Sequence, residues 1–495
     1  MEPALLLIIL FAPLIAALAL AMSLPCRPLA VGSGLVQLTL TMVLMFQLPV
    51  SPSAVIDGGY SFVTSFPVST LPSFFTIHFT VGLDGINAPL LLLTSLVGLA
   101  AVGVVPQGMR RVREFHVMLL LIIFGATGAF ISLDLFLLYI FYGVGLIPAF
   151  LMIGIWGSRD HKLAATQMLL YLTLGGLVLL AGLLAFYFSI PLELRSLDLR
   201  EIQQVLALSA ISNQSTIFIL LLVGFGTLVS LVPFHSWAPP GYASAPAPVA
   251  MLYAGVLNKL GIYGLIRLGS SYLPDGIEQW SVLLQVVLLT HLLYIGWVTI
   301  AQRQLDLMIG YASVMQIGYL WLGFLSLSTI GGAGMMLLMI GHGLSTALLF
   351  AVTSEIRDRV GTMKFADLGG LARKAPRLSM FFIVGALASI GLPGLANFAG
   401  EILIFFGAWG NYPVTTGLCL LGLMISAVFM LRAVQHVCYG EVSEAVEKTG
   451  DLAAGSARWP YVLMMSGLVV FGFFPGLIIE MAKPVWSLMI AGATG

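Results

Sequence analysis

Residues Thr216–Ser270 read TIFILLLVGFGTLVSLVPFHSWAPPGYASAPAPVAMLYAGVLNKLGIYGLIRLGS. Two apolar helices flank a proline-rich interruption near 233–247, and Lys259 stands in the middle of the second helix. A charged side chain at membrane depth is costly; such residues face a bundle interior or a wet cavity and mark ion pathways. Backbone interrupted at that depth is tolerated only inside protein or beside a cavity. Together the two signals point to the core of a transporter.

The chain around this stretch has the matching composition. Of its 495 residues 59% are hydrophobic and 8% charged, and the mean hydropathy is +1.05. Soluble domains carry about 25% charged residues, so the chain is read as an integral protein of the lipid bilayer. Its 21 basic and 21 acidic side chains cancel, and no basic patch points to nucleic acid. Cys26, Cys419 and Cys438 lack metal or redox spacing and read as free thiols. The opening MEPALLLIILFAPLIAALALAMSLP has Glu2 in place of a basic n-region, so it reads as a first spanning helix rather than a signal peptide.

Apolar runs of about 20 residues give fourteen spans. They are 4–24, 29–49, 86–106, 115–133, 134–156, 164–188, 216–238, 247–270, 281–302, 307–327, 331–354, 379–408, 413–437 and 459–481. The twelfth contains GLPG at Gly391–Gly394, a second expected interruption near 391–397. With this count, sixteen of the 21 basic residues fall on one side, among them Arg27, Arg110, Arg159, Arg357 and Arg377. The positive-inside rule then places both termini outside the cytoplasm. The outer segment 50–85, with Pro52, Pro67 and Pro72, reads as an apolar lid; 189–215 contains a short amphipathic helix. About fourteen residues remain after the last span.

The fold expected is an all-α polytopic membrane protein. Interrupted helices at the seventh and twelfth places imply two inverted five-helix repeats with a transport site between them. The divisions are 1–114 (three helices and the outer loop), 115–270 (first repeat), 281–437 (second repeat) and 438–495 (inner loop, last helix and short tail).

Four ionisable residues lie deep in these spans: Lys259, His291, His342 and Glu401. Lys259 is about eleven residues, or about 17 Å, from either helix end, too far to snorkel to the surface. The imidazole of His342 suits a proton relay; the alternative is a bond to a neighbouring helix. Glu401, just past the second interruption, is an acid that can load and release protons, or a carboxylate held by a basic partner. His291 has no supporting motif and reads as structural. Asp84 and Asp134 open spans, where helix N-termini favour carboxylates.

Several motifs resemble one family. VPFHSWAPPGYASAPAPVAMLYAGVLNKLGIYGLIR, HGLSTALLF, DLGGLARKAP and SIGLPGLANFAGE are similar to those of the antiporter-like subunits of respiratory complex I, an NADH:quinone oxidoreductase. The spacing and the absence of a long lateral helix point to the M type, also called the subunit-four type. The same fold serves Mrp-type cation/proton antiporters and membrane-bound hydrogenases. The resemblance implies a proton-translocating membrane-arm subunit with no cofactor of its own. NADH, flavin, iron–sulfur clusters and quinone are expected on partner subunits, with L-type and N-type antiporter-like neighbours beside it, in a bacterial inner membrane or thylakoid-like coupling membrane.

Residue by residue, the family's lysine on the eighth helix, histidine on the eleventh and acid or lysine on the twelfth match Lys259, His342 and Glu401. Other family charges are missing. The acid of the fifth helix is Gly143, its lysine partner on the seventh is Leu228, and a lysine of the sixth is Gln167. A further family histidine is Tyr242, and a basic run before the tenth helix reads Gln304, Leu305, Asp306 and Leu307. Losing one member of a buried pair strands a charge, at about 3–5 kcal/mol, whereas losing both is tolerated. The expectation is a subunit with one half-path silenced and the Lys259–His342–Glu401 half retained. Its alternatives are a non-pumping structural subunit of the same complex, or a subunit of an Mrp-type antiporter or related ion-coupled complex.

Overall fold

The computed structural model describes residues 2–48, 59–71, 75–106, 108–206, 211–452 and 458–494. In chain order its main elements are α1 (Glu2–Ala21), α2 (Cys26–Gln47), β1 (Ser61–Leu71), β2 (Phe75–Leu83), α3 (Asn87–Val104), α4 (Val112–Ile131), α5 (Leu135–Trp156), α6 (His161–Ser189) and α7 (Leu199–Leu206). They continue with α8 (Gln214–Leu228), α9 (Ala238–Ser244), α10 (Ala247–Ser270), α11 (Pro274–Gln279), α12 (Ser281–Ala301), α13 (Leu305–Leu325) and α14 (Thr329–Val360). The last are α15 (Pro376–Ile390), α16 (Ala396–Trp409), α17 (Pro413–Cys438), α18 (Trp459–Phe473) and α19 (Gly476–Thr494).

Among the described residues eleven helices are long and apolar enough to cross a membrane, and one bent pair makes a twelfth. They are not equivalent. The most apolar 18-residue stretches of α10 and α14 are fully buried, and those of α3 and α13 are 94% and 89% buried. The spans of α1, α2, α6, α12 and α17 are only 39% buried. A helix that is apolar all round and half exposed is one that faces lipid. So α3, α10, α13 and α14 form a core inside a lipid-facing rim. The 32-residue α14 packs on α3, α10, α13, α15, α16, α18 and α19.

Both sequence-marked interruptions are present. The α8 helix stops at Leu228, ten residues before the end of the span read from the sequence, and turns carry the chain through His235 to α9. The other break separates α15 from α16 at Gly391–Leu395. Gly391 has φ +82° and Gly394 φ +93°, values at which only glycine is unstrained.

Three expectations are corrected. The fold is mostly helical, as expected, but not purely so: β1 and β2 form an antiparallel hairpin in the outer segment, with Thr64 opposite Val81 and Phe66 opposite Phe79. Alternation of Phe75, Ile77, Phe79, Val81 and Leu83 with Thr76, His78 and Thr80 is the period-2 signal of a strand. The part of the lid reading that involves Pro52 and Pro72 lies outside the described residues. The hairpin is tied to the α4–α5 turn by the Leu133 amide, which donates to the Thr80 carbonyl at 2.9 Å.

The last span also ends earlier than its composition suggests. Pro475 disfavours helical backbone at the residue before it, and Phe474 takes φ −122°, ψ 57°. The chain bends by 66° there. The expected short tail is instead the helix α19, which returns against α14 with Trp486 packed over Gly332. Finally, α10 is not a plain α-helix. Tyr253–Leu257 and Ile266–Ser270 are π-helical turns.

Arginines knit the loops at one end of the bundle. Arg357 donates to Ser158 Oγ at 3.1 Å and to the Ala243 carbonyl at 2.8 Å. Arg159 donates to Gln304 Oε1 at 3.0 Å. Arg359 donates to the Gly450 carbonyl at 2.7 Å, and Asp451 accepts from the amides of Arg377 and Leu378 at 3.2 Å each.

At the opposite end Asp84 does more than open α3. Its Oδ1 accepts from the amides of Ile86 and Asn87 at 2.9 Å, and both its oxygens take the guanidinium of Arg267, at 2.5 and 2.6 Å. Both side chains are buried, and Tyr60 and Tyr263 face the guanidinium at 5.4 and 5.0 Å. This pair fastens the hairpin and α3 to the end of α10. Arg267→Met leaves Asp84 unneutralised and is expected to cost about 3–5 kcal/mol. Adding Asp84→Asn, which keeps the cap and removes the charge, is expected to recover most of the loss in melting temperature of the detergent-solubilised protein.

Candidate functional site

The site is built on the contact between α10 and α14. Gly255 and Gly343 meet there backbone to backbone: a Cβ on Gly255 would lie 3.0 Å from the Gly343 carbonyl oxygen, and one on Gly343 2.7 Å from that of Gly255. Lys259 is one turn beyond Gly255, and His342 is next to Gly343. The close crossing therefore sets the amine and the imidazole on facing helices near the same contact.

Lys259 is 1% exposed. Its Nζ donates to the Ala254 carbonyl at 2.5 Å, and it belongs to none of the ion pairs among the described residues. The π turn explains the bond. Widening the helix to i→i+5 pairing, as in the Asn258 amide to the Tyr253 carbonyl, leaves a carbonyl within reach of the lysine's own side chain. Such π turns within helices recur at functional sites. Asn258 beside it donates to Tyr242 Oη at 2.5 Å, while its Oδ1 has no partner.

His342 is also buried. Its Nε2 bonds the Ser313 carbonyl at 3.2 Å; its Nδ1 and the Ser313 hydroxyl have no partner. One turn on, Ser345 Oγ accepts from Asn397 Nδ2 at 3.3 Å and donates to the His342 carbonyl at 3.3 Å. Asn397 sits on α16, close enough to α14 that a Cβ on Gly341 would be 2.6 Å from its Oδ1. Glu401 is one turn past Asn397 and 4% exposed. Its Oε2 fills the space where a side chain on Gly391 would begin. The first glycine of the GLPG break thus makes room for the carboxylate. Tyr319 lies beside this helix, its ring 6.0 Å from Phe405, and its hydroxyl has no partner.

The three sequence-marked residues therefore lie along one line of buried polar groups: Lys259 with Asn258, His342 with Ser313, Ser345 with Asn397, and Glu401 with Tyr319. Sequence reading missed the neutral members. Their signal was an asparagine, serine or tyrosine inside an apolar span, which is weak by itself. Buried polar atoms are nearly always satisfied by protein or ordered water. The unsatisfied atoms at Asn258, Ser313, Tyr319, His342 and Asn397 mark where water would bond. The arrangement gathers two ionisable groups, Lys259 and Glu401, and the imidazole of His342 among buried neutral polar groups.

Of the positions without family charge, Leu228 and Gly143 are on helices that border α10, where Val229 packs on Gly261 and Gly145 faces Leu257. Leu228 is buried at the end of α8 in the apolar core. Gly143 on α5 has no heavy atom within 4 Å of where a Cβ would stand. Gln167 is half-buried on α6. Tyr142, next to Gly143, donates to the Leu172 carbonyl at 3.1 Å.

His291 is structural, as its lack of motif suggested. Its Nε2 bonds the Val314 carbonyl at 2.7 Å and its Nδ1 accepts from the Val232 amide at 3.4 Å. One neutral tautomer satisfies both, so the ring closes the break after α8. Asp134 caps α5, with Oδ1 accepting from Phe136 and Leu137 amides at 2.8 and 3.1 Å.

The comparisons agree with this architecture. Residues 132–429, more than half of the chain, match the family model described as NADH:quinone oxidoreductase/Mrp antiporter, TM. A protein named NAD(P)H-quinone oxidoreductase chain 4 from Gloeobacter violaceus is 31% identical over 82% of this chain and 78% of its own length. One named NADH-quinone oxidoreductase subunit M from Rickettsia prowazekii is 30% identical over 82% of each chain. A chain in the structure of respiratory complex I from Thermus thermophilus superposes over 99% of both chains with a TM-score of 0.86 at 27% identity. A chain of the Mrp complex from Dietzia shares the fold, with a TM-score of 0.81 at 19% identity over 100% of this chain and 99% of its own.

His291→Leu is expected to leave two backbone groups unpaired and to cost about 1–3 kcal/mol. Faster hydrogen exchange at the Val232 amide would report it, whereas unchanged protection there would show that the ring does not hold the break.

Proposed function

Since this chain belongs to the NADH:quinone oxidoreductase/Mrp antiporter membrane family, we propose that it is the M-type, subunit-four membrane-arm subunit of a complex I-type NADH:quinone oxidoreductase. In this reading it relays protons along Lys259, His342 and Glu401. The observation that carries the reading is the setting of Lys259: a buried, ionisable amine with its own helix's carbonyl as its hydrogen-bond partner and no counter-ion among the described residues, on a helix touching that of His342. A structural cation would be expected to have a counter-ion, as Arg267 has in Asp84.

Fourteen spans follow when α8 with α9, α15 with α16, and α18 each count as one crossing beside the eleven long helices. The interrupted pairs then hold equivalent places in two inverted repeats, 115–270 and 281–437. The gathering of arginines at one end supports a cytoplasmic placement of that end, with the termini on the other side of the inner membrane. The chain has no redox role in this reading. NADH, flavin, iron–sulfur clusters and quinone belong to partner subunits, and L-type and N-type subunits flank it.

Coupling would be electrostatic: a charge change in a neighbouring subunit alters the protonation of one buried group, and that group shifts the next. The half-path through Gly143 and Leu228 is silent in this scheme, because neither residue can carry a charge and Leu228 sits in apolar packing. The same two residues support the second reading, a subunit that seals and spaces the membrane arm without pumping.

Two measurements on the assembled complex separate these readings. Lys259→Ala and Glu401→Gln are each expected to lower the number of protons moved per electron pair while assembly is kept. An unchanged stoichiometry in both would favour the spacer. Gly143→Glu together with Leu228→Lys is expected to be tolerated better than Leu228→Lys alone, since a buried pair lacking one partner loses about 3–5 kcal/mol. A gain in protons per electron pair in the double variant would identify the silenced half-path.

A further inference from the structure

The break between α15 and α16 strands a carbonyl group in the interior of the bundle. At the end of α15 the Gly391 amide donates to the Ala388 carbonyl and the Leu392 amide to the Leu387 carbonyl, both at 3.0 Å. This is the pairing of a glycine-terminated helix, with Gly391 at φ +82°. The carbonyl of Ser389 is next in line. The residue four positions on is Pro393, which has no N–H to give it. A buried carbonyl left without a donor is costly, and no bulk water reaches membrane depth to serve it.

Gln316 of α13 supplies the donor. Its side-chain Nε2 donates to the Ser389 carbonyl at 2.5 Å and also to the Ser389 hydroxyl. Gln316 is 4% and Ser389 3% exposed, so the bond is shielded from solvent. Two residues beyond Ser389, Gly391 forms the niche that Oε2 of Glu401 fills. The backbone held by Gln316 is therefore the wall against which this carboxyl group rests. An amide side chain does not ionise, so Gln316 acts on Glu401 through that wall and not by carrying a proton. The first break has a counterpart, because His291 of α12 accepts from the Val232 amide there. The ring serves a freed amide at one break, and the glutamine serves a freed carbonyl at the other.

We infer that Gln316 is a positioning residue for Glu401: its amide fixes the end of α15 and so keeps the Gly391 niche in the shape that seats the carboxyl group. The value of this seating for transport rests on the proton-relay reading above; the seating itself does not.

The test uses the assembled membrane complex and dicyclohexylcarbodiimide, a lipid-soluble reagent that modifies carboxylic acids in apolar surroundings. The rate of modification at Glu401 is followed by mass spectrometry of its peptide. Protons moved per electron pair are measured in parallel on untreated vesicles. Gln316→Met keeps the bulk of the side chain and removes the donor. It is expected to free the carboxyl group from its niche and raise the rate at Glu401 roughly fivefold or more, the shift that loss of a buried hydrogen bond produces. It is also expected to lower the number of protons per electron pair. Gln316→His, which restores an N–H donor, is expected to return both toward the unaltered values. Gln316→Asn, one methylene shorter and unable to reach Ser389, is expected to act as the methionine does, and it keeps the test decisive if Gln316→Met fails to assemble. Modification of Glu401 at the unaltered rate in the methionine or asparagine variant overturns the proposal. An increase that histidine leaves unreversed also overturns it, by assigning the effect to packing. Faster modification with an unchanged proton stoichiometry upholds the seating of Glu401 and counts instead against the relay.

Discussion

An ionisable amine held in apolar surroundings with one carbonyl for company is the constraint around which this bundle is arranged. Isolated buried charge is among the most expensive features a protein can carry. The surrounding helices respond in three ways. The helix that bears Lys259 widens by a π turn to offer the Ala254 carbonyl. Glycines on α10 and α14 remove the side chains that would hold the two helices apart. A row of neutral polar groups, Ser313, Ser345 and Asn397, lies beside His342 on the side of Glu401.

The second cation of α10 shows the opposite solution. Arg267 lies eight residues after Lys259, about 12 Å further along the axis. It is clamped by both oxygens of Asp84 and faced by two tyrosine rings. A guanidinium stays charged and its planar fork matches a carboxylate, so this end of the helix is fixed. Lysine is the side chain that changes protonation readily when buried. One helix thus carries a charge anchored by a counter-ion and an ionisable amine without one among the described residues.

Much of this could be read from the chain itself. Lys259, His342 and Glu401 stood out because charge and imidazole are rare in apolar spans, and the Pro and Gly clusters marked both interruptions. The hairpin was hidden because its alternating residues are mostly apolar or β-branched, and in an apolar chain such a run resembles one more lid or span. The bend after Phe473 was hidden for a related reason: composition stays hydrophobic across Pro475, and only the backbone restriction breaks the helix. The Asp84–Arg267 pair joins positions 183 residues apart. Each has a sufficient local reading, as a cap and as a flanking base, so neither advertises the other. The π turns have no local sequence signature at all; packing and the lysine decide them.

The contact of Gly255 with Gly343 has one more implication. With no side chain on either helix at that point, the two backbones meet directly, and any substituent there would push them apart. The backbone spacing of the two positions is thus set by the scaffold, while the flexible four-carbon stem of the lysine leaves the reach of its amine adjustable. In such a frame the adjustable parts are a side-chain rotamer and the solvent beside it, held between walls that stay put.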